Sequence, residues 1–576
     1  IVDALGPLLP RTPTFSLLKG RGNYVCLHKL DGGYPADEDP GTLFATVGSA
    51  RSGQGEGEDR AQERLGEQIR RLREFAGDTD TGDRDDLTTP VSDRAWRQVS
   101  VSGSHCLGSH CPLVSECFAE RNRAVAREVD LIVTNHALLA IDAFDAHGII
   151  PDHDVVVFDE AHELQDRVTS AVTEQLTAGA VRSVVRELRG LGMAATALDD
   201  AGEALGSALA VLPEGRVLGD LPETMVDALQ VLRTQARDAH GDAKDAGGDG
   251  PGTARKAVRT DLQALVDVSE RLLEPDDDDV VSVSHGPSTG RSQIQVAPLS
   301  VAVPMRSRVL EERTAVLTSA TLAFGSQFTG PAGAIGLAAR DRTDPLEEHA
   351  PGGRGAWAGL DVGSPFDYRA QGILYIARHL PPPGREGPAP AMLDHLTELI
   401  EASRGGALCL FSSRRGAELA AEHVRLRSEL EVGLQGEDSV ARLVQRFRER
   451  EDSCLFGTLG LWQGVDVQGR SCRLVTIDRV PFPRPDDPLL SARQERLQQR
   501  GGNGFMGVAV PHAALLLAQG AGRLVRSSED RGMVAVLDPR LATARYAPVL
   551  RQALPPFWPT ADPAVATAAL ARLAKT

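Results

Sequence analysis

His153-Asp-Val-Val-Val-Phe-Asp-Glu-Ala-His-Glu-Leu164 constrains this chain more than any other stretch. A short apolar run leads straight into two adjacent carboxylates and a histidine. Such a run suits a strand buried on both faces, as in a parallel sheet. Carboxylates at the C-terminal end of that strand sit at the crevice where open α/β sheets bind ligands. Asp159 can then hold Mg²⁺ on a nucleotide, and Glu160 can orient or deprotonate a water. The competing reading is a strand end followed by a helix whose first turn favours acidic residues for electrostatic reasons alone.

Other stretches repeat the theme. Asp130-Leu-Ile-Val-Thr-Asn-His136 reads as a second buried strand ending in Thr134, Asn135 and His136. Thr314-Ala-Val-Leu-Thr-Ser-Ala-Thr-Leu322 reads as a third, with hydroxyls at its end. Between them, from about 163 to 275, apolar residues recur three and four apart, which predicts helices inserted between sheet elements. Gly241–Gly252 reads as a flexible loop within that block, and Asp276–Asp279 as a solvated turn. Glycine- and proline-rich segments at 331–363 and 381–390 mark a boundary. A second α/β pattern follows, with strands expected at 405–414, 454–466, 473–478 and 533–538. Gln519-Gly-Ala-Gly-Arg523-Leu-Val-Arg526 lies between the last two. On a helix its two arginines share one face, and arginine suits the neutralising of a phosphate.

The thiols form a separate pattern. Of seven cysteines, four fall in the first part of the chain, Cys26, Cys106, Cys111 and Cys117. Four thiolates satisfy an iron–sulfur cubane or a structural Zn²⁺. Zinc sites usually take close Cys-x₂₋₄-Cys pairs, and none occurs here. An odd count in this arrangement fits a reduced intracellular protein with a metal site better than a disulfide framework. His105 and His110 read as polar loop residues. A charged helix is expected at Asp59–Phe75. The net charge of −18 argues against a uniformly basic nucleic-acid binder, yet leaves room for a local basic groove. No apolar run is long enough for a transmembrane helix. At 576 residues the chain exceeds one core and should hold about three or four domains.

These segments, in this order, resemble the XPD/DinG-like family of iron–sulfur superfamily-two DNA helicases. Asp159-Glu-Ala-His162 matches its motif II, Ser319-Ala-Thr321 motif III and Phe411-Ser-Ser-Arg414 motif IV. Gly464-Val-Asp466 lies in motif V, where Gln463 stands in place of the frequent Glu, and Gln519–Arg526 matches motif VI. The resemblance spans 16 to 540. It implies an α/β fold with two RecA-like parallel-sheet motor domains, 1–350 and 360–576. The first would carry an iron–sulfur insert at 20–130 and a helical arch at 165–300.

The resemblance further implies ATP, Mg²⁺ and a [4Fe-4S] cluster on Cys26, Cys106, Cys111 and Cys117. The catalytic set would be Asp159, Glu160, His162, Gln519, Arg523 and Arg526, with Gly464 and Asp466 also at the nucleotide. Lys19, Arg21, Tyr24, Asn135, His136, Ser412, Arg414 and Trp462 are the expected DNA contacts. Single-stranded or forked DNA, 5′-to-3′ unwinding in repair or replication, a monomer and a cytoplasmic location follow as expectations. The rival readings are a motor-dead iron–sulfur DNA-binding protein and a zinc-stabilised nucleotide hydrolase. Finally, Ile1 opens what reads as the tail of a helix running to Leu9, and no Gly-x-x-x-x-Gly-Lys-[Ser/Thr] occurs. In the family that loop precedes the point matching Ile1, so the sequence is expected to be a truncated one.

Overall fold

A computed structural model of the chain describes residues 6–32, 58–144, 148–245, 252–286, 292–323, 327–343, 355–384, 387–458, 461, 467 and 469–575. The chain divides into two compact units, Ile1–Thr318 with Gly333–Leu337, and Ser319–Ala332 with Ala338–Thr576. The division thus falls directly after Thr318, earlier than the expected boundary near 350.

In chain order, the first unit contains strands β1 (Phe15–Leu17), β2 (Leu131–Val133), β3 (Val155–Phe158), β4 (Glu174–Thr177), β5 (Gly215–Arg216), β6 (Asp279–His285), β7 (Ser292–Pro298) and β8 (Thr314–Leu317). The strands β1 and β2 pair in parallel, as do β3 and β8, each as a two-stranded ladder. The expected strands are therefore present, but they are not buried on both faces. Val155 and Val157 are exposed, as are Leu131 and Val133, while Phe158 is buried. A continuous apolar run specifies a strand; the number of layers that cover it depends on the elements packed around it.

The block after β3 also departs from the helical expectation. Helices Ala178–Gly190, Thr196–Val211, Glu223–Asp245 and Gly252–Leu273 are there, and they share one core with an antiparallel sheet of order β4-β7-β6-β5. In that sheet β4 is Glu-Gln-Leu-Thr and β5 has two residues, both too short to show alternation, while the seven-residue β6 and β7 lie beyond the block read as helical. Asp279, expected in a solvated turn, begins β6. Its side chain accepts two hydrogen bonds from Arg271, which also reaches Glu174. The expected loop at Gly241–Gly252 is helical as far as Asp245, and 246–251 lie outside the described residues. Gly6–Leu8 forms one 3₁₀ turn in place of the expected helix tail, and residues 1–5 lie outside the described residues. The charged helix is Glu58–Asp78.

The second unit is built on strands β9 (Gly372–Ile376), β10 (Ala407–Phe411), β11 (Glu431–Leu434), β12 (Ser453–Thr458), β13 (Leu474–Ile477), β14 (Gly532–Val536) and β15 (Trp558–Thr560). All pair in parallel, in the order β11-β12-β10-β13-β14-β9-β15. Alternate residues face opposite sides, as the pleat requires. Leu408, Leu410, Leu455, Val475, Ile477, Val534 and Val536 pack with Phe447, Val510 and Leu517 on one face. Cys409, Phe411, Phe456, Leu474, Met533 and Ala535 pack with Leu396, Ile400, Ala420 and Val424 on the other. Side-chain caps start the covering helices, Ser413 on Gly416 N, Ser439 on Arg442 N and Asp487 on Leu490 N. Gly405 has φ of +78°, and a Cβ there would lie 2.5 Å from the backbone of Asp452, so the turn into β10 requires glycine.

Candidate functional site

The carboxylate turn after β3 is shaped by β8. Thr318 follows β8 and spans the turn. Its N–H donates to Phe158 O at 2.8 Å and its hydroxyl to Asp159 Oδ1 at 3.1 Å, while its own carbonyl accepts from Ala161 N at 2.9 Å. Asp159 Oδ1 also accepts from Glu160 N at 3.0 Å. One carboxylate oxygen is thereby fixed, on a residue that is exposed. Glu160 sits in the left-handed region, φ 48° and ψ 44°. That conformation costs a side-chain-bearing residue roughly 1–2 kcal/mol and persists only where neighbours enforce it. Here the two Thr318 contacts that flank Glu160 enforce it.

Two histidines brace the same turn. His162 Nδ1 lies 3.3 Å from Glu160 Oε2, and the imidazole is buried while the Glu160 carboxylate is largely exposed. Burial lowers the His162 pKa, outweighing Glu160, Glu163 and Asp159. A neutral imidazole positions Glu160 without cancelling its charge. The His136 ring lies 6.0 Å from that of Phe158, and burial lowers its pKa against a hydrogen bond to the Asp159 backbone. His136, expected at DNA, thus supports the carboxylate turn. Asn135 Oδ1 accepts from Leu138 N at 2.8 Å and caps the helix His136–Phe144.

The cysteine region is a small body with its own core of Tyr24, Val25, Leu72, Trp96, Val99 and Phe118. Cys26, Cys106, Cys111 and Cys117 line one cavity within it. Cys106 Sγ accepts from Arg21 Nη1 at 3.2 Å and from Gly108 N at 3.4 Å. Burial pushes the Cys26 thiol up to about 11, and the three other cysteines add to the rise. Thiols this close repel as thiolates, so a bound cation would be needed to hold all four deprotonated. Three expected DNA contacts are corrected here. Tyr24 is 3% exposed and belongs to the core, so it offers no face for a base. Lys19 is committed to Asp83 and Asp85 at 2.6 and 2.7 Å, and Arg21 to Cys106 and Glu120. Their charges are met inside the domain.

In the second unit, helix Val510–Ala521 carries Gln519 and stops at Ala521. Arg523 and Arg526 therefore lie on the turn that follows, not on one helical face. Asp530, 5% exposed, folds that turn. Its Oδ2 accepts from Arg526 N and Ser527 N, both at 2.7 Å, and its Oδ1 from Gly469 N at 3.0 Å. The backbone after Gly520-Ala-Gly522 can turn back because a buried carboxylate collects its N–H groups. Ser412 follows β10 and donates from N and Oγ to Asp478, which follows β13 and is buried. Arg414 donates to Glu418 at 3.0 Å and starts the next helix. Ser319 and Thr321 contact each other at 3.2 Å. Trp462, Gly464 and Asp466 lie outside the described residues. Sequence reasoning missed Thr318, Asp478 and Asp530. Thr318 and Asp530 stand within a few residues of a recognised motif and Asp478 ends an expected strand, places where an isolated polar residue reads as ordinary loop.

Comparison with known proteins fits this geometry. A family model described as a helicase C-terminal domain matches residues 396–557. The ATP-dependent helicase DinG of Mycobacterium tuberculosis is 45% identical over 592 residues, covering 100% of this chain and 85% of that protein. The ATP-dependent DNA helicase YoaA of Escherichia coli is 29% identical, covering 98% and 85%. A solved XPD helicase structure superposes with a TM-score of 0.52 at 14% identity, over 97% of this chain and 90% of that one, and shares the fold. The chain belongs to the DinG family of ATP-dependent helicases.

Proposed function

We propose that this protein moves 5′-to-3′ along single-stranded DNA by ATP hydrolysis and unwinds forked DNA in repair or replication. The observation that carries the reading is the strained Asp159–Glu160 turn held by Thr318 at the end of a parallel ladder. Asp159 would hold Mg²⁺ through its second carboxylate oxygen. Glu160 would take the proton of the attacking water, with neutral His162 keeping its carboxylate in place. By family resemblance, Gln519, Arg523 and Arg526 would meet the γ-phosphate, with Gly464 and Asp466 at the nucleotide, Mg²⁺ neutralising charge as phosphate is transferred. The domains would be two motor domains, 1–350 and 360–576, a cysteine insert at 20–130 and an arch at 165–300. Ser412, Arg414 and Trp462 remain the proposed contacts to the DNA backbone and bases. A monomer in the cytoplasm is the proposed working form.

The four cysteines are proposed to hold a [4Fe-4S] cluster. Among the described residues, no three His, Cys, Asp or Glu side chains converge closely enough to hold a single ion. The four cysteines nevertheless line one cavity, and ligands spread around a cavity suit a multi-iron cluster better than one Zn²⁺. Arg21 and the Gly108 N–H would stabilise sulfur charge there. Anaerobically purified protein should contain about four irons per chain and absorb broadly in the visible. Cys111→Ser should lose both; a colourless protein with one tightly bound zinc would replace the cluster by a zinc site.

The decisive experiment on the motor reading is Glu160→Gln. It should keep nucleotide and DNA binding and lower ATP turnover by about a hundredfold or more, since only the proton acceptor is gone. Turnover at the parental rate would remove Glu160 from the chemistry.

A further inference from the structure

Outside the motor motifs, one cleft of the second unit has the chemistry of a binding site. Its volume is about 400 Å³, the scale of a single nucleotide. It opens at the N-terminal ends of β9 and β14, the rim opposite Ser412 and Asp478. Four segments deliver its polar groups. Arg369 comes from the turn of helix before β9, Arg531 from the residue before β14, Arg572 from the last helix, and Trp558 from edge strand β15.

We infer that this cleft is a second binding site for single-stranded nucleic acid, in which Arg369, Arg531 and Arg572 hold backbone phosphates and Trp558 stacks a base. Three observations support it. The arginines are exposed, and no carboxylate is among the residues that line the cleft, on a chain whose net charge is −18. A polyanion repelled by most of the surface meets concentrated positive charge here. Among the described residues, Arg369 and Arg572 make no ion pair, so their guanidinium groups are available for a bidentate grip on phosphate. Arg531 is anchored at one end, where Nη1 donates to Ser528 O at 2.9 Å and to Asp530 O at 2.7 Å, on a residue that is exposed.

The indole completes the match. Trp558 is 46% exposed, an unusual position for the largest apolar side chain on a strand. Beside three arginines it forms the stacking-plus-phosphate arrangement that binds single strands without reading sequence. The floor is rigid, since Ile373 of β9 pairs with Trp558 of β15 in the ladder and Gln371 Nε2 donates to Ser527 O and Asp530 O. An acidic peptide would satisfy the arginines but leave the flat indole face without a planar partner.

The test uses the full chain and an oligothymidylate of roughly twelve nucleotides. Ultraviolet cross-linking followed by peptide mapping should place a cross-link at Trp558, in addition to any on the motor track. Arg369→Ala/Arg572→Ala and, separately, Trp558→Ala should each weaken binding at this site by about tenfold or more, with a cooperative unfolding transition retained in both. Cross-links confined to residues other than the cleft would overturn the assignment. So would unchanged stoichiometry and affinity in the double variant, or displacement of the oligonucleotide from Trp558 by a Glu/Asp-rich peptide at lower concentration. Loss of DNA binding on the motor track alone leaves the Trp558 cross-link in place, so the two readings fail separately.

Discussion

The two units contain parallel strands of nearly the same composition and treat them differently. Val155-Val-Val-Phe158 in the first unit and Leu408-Cys-Leu-Phe411 in the second are both short apolar runs that end in polar, functional residues. In the second unit every residue of β10 is buried, because helices cover both faces of a seven-stranded sheet. In the first, β3 pairs only with β8 among the described residues, and alternate valines face solvent. The functional ends of the two strands are nonetheless built alike. Asp159 is pinned by Thr318 from the neighbouring strand end, and Ser412 is pinned by Asp478 from the neighbouring strand end. A site at a strand terminus therefore needs one adjacent strand in register; it does not need a fully covered sheet.

Removing packed volume should separate the two units most sharply. Phe456→Ala in β12 deletes a side chain that is 0% exposed and should cost about 4 kcal/mol, read as an early unfolding transition of the second unit. A loss below 1 kcal/mol would show that the seven-stranded core is looser than its burial implies.

Acid should act next, on the carboxylate turn of the first unit. His136 and His162 both have pKa values lowered by burial from their ordinary 6.5. A lowered folded-state value means that the unfolded chain binds protons first as pH falls. The stability these histidines confer is present above about pH 6.5 and is lost as pH drops below it. Hydrogen exchange around β3 and its turn should accelerate between neutral and mildly acidic pH, and His162→Gln should flatten that response. Acid-insensitive exchange in the parent would place the charge of His162 elsewhere than in this balance.

The smallest effect should come from the exposed face. Val157 is 62% exposed, and Val157→Ala should change stability by about 0.5 kcal/mol or less. A cost several times larger would mean that something covers this ladder in solution, and the contrast between the two sheets would disappear.

Much of the site was legible in the residues. Asp159-Glu160 after an apolar run and four clustered thiols point to specific chemistry because few structural roles require those groups in that order. The strand cores of the second unit were legible for the same reason, since a continuous apolar run is a purely local pattern. Lys19, Arg21 and Tyr24 were misplaced as DNA contacts because a basic turn beside a tyrosine looks alike whether its charges meet phosphate or Asp83, Asp85 and Glu120. The helical reading of the arginine pair failed because Asp530, four residues beyond Arg526, ends the pattern through hydrogen bonds that spacing does not reveal.

By itself, then, the sequence determined the alternation of strands and helices, the carboxylate pair, the thiol set and the family. These depend on residue type and short-range spacing. Only the tertiary structure decided that Glu160 is held left-handed, that His136 braces Asp159, and that Arg369, Arg531, Arg572 and Trp558 share a cleft. Each of those facts joins residues from separate segments, and the energy of such contacts comes from burial and hydrogen bonding that exist only once the sheets have closed.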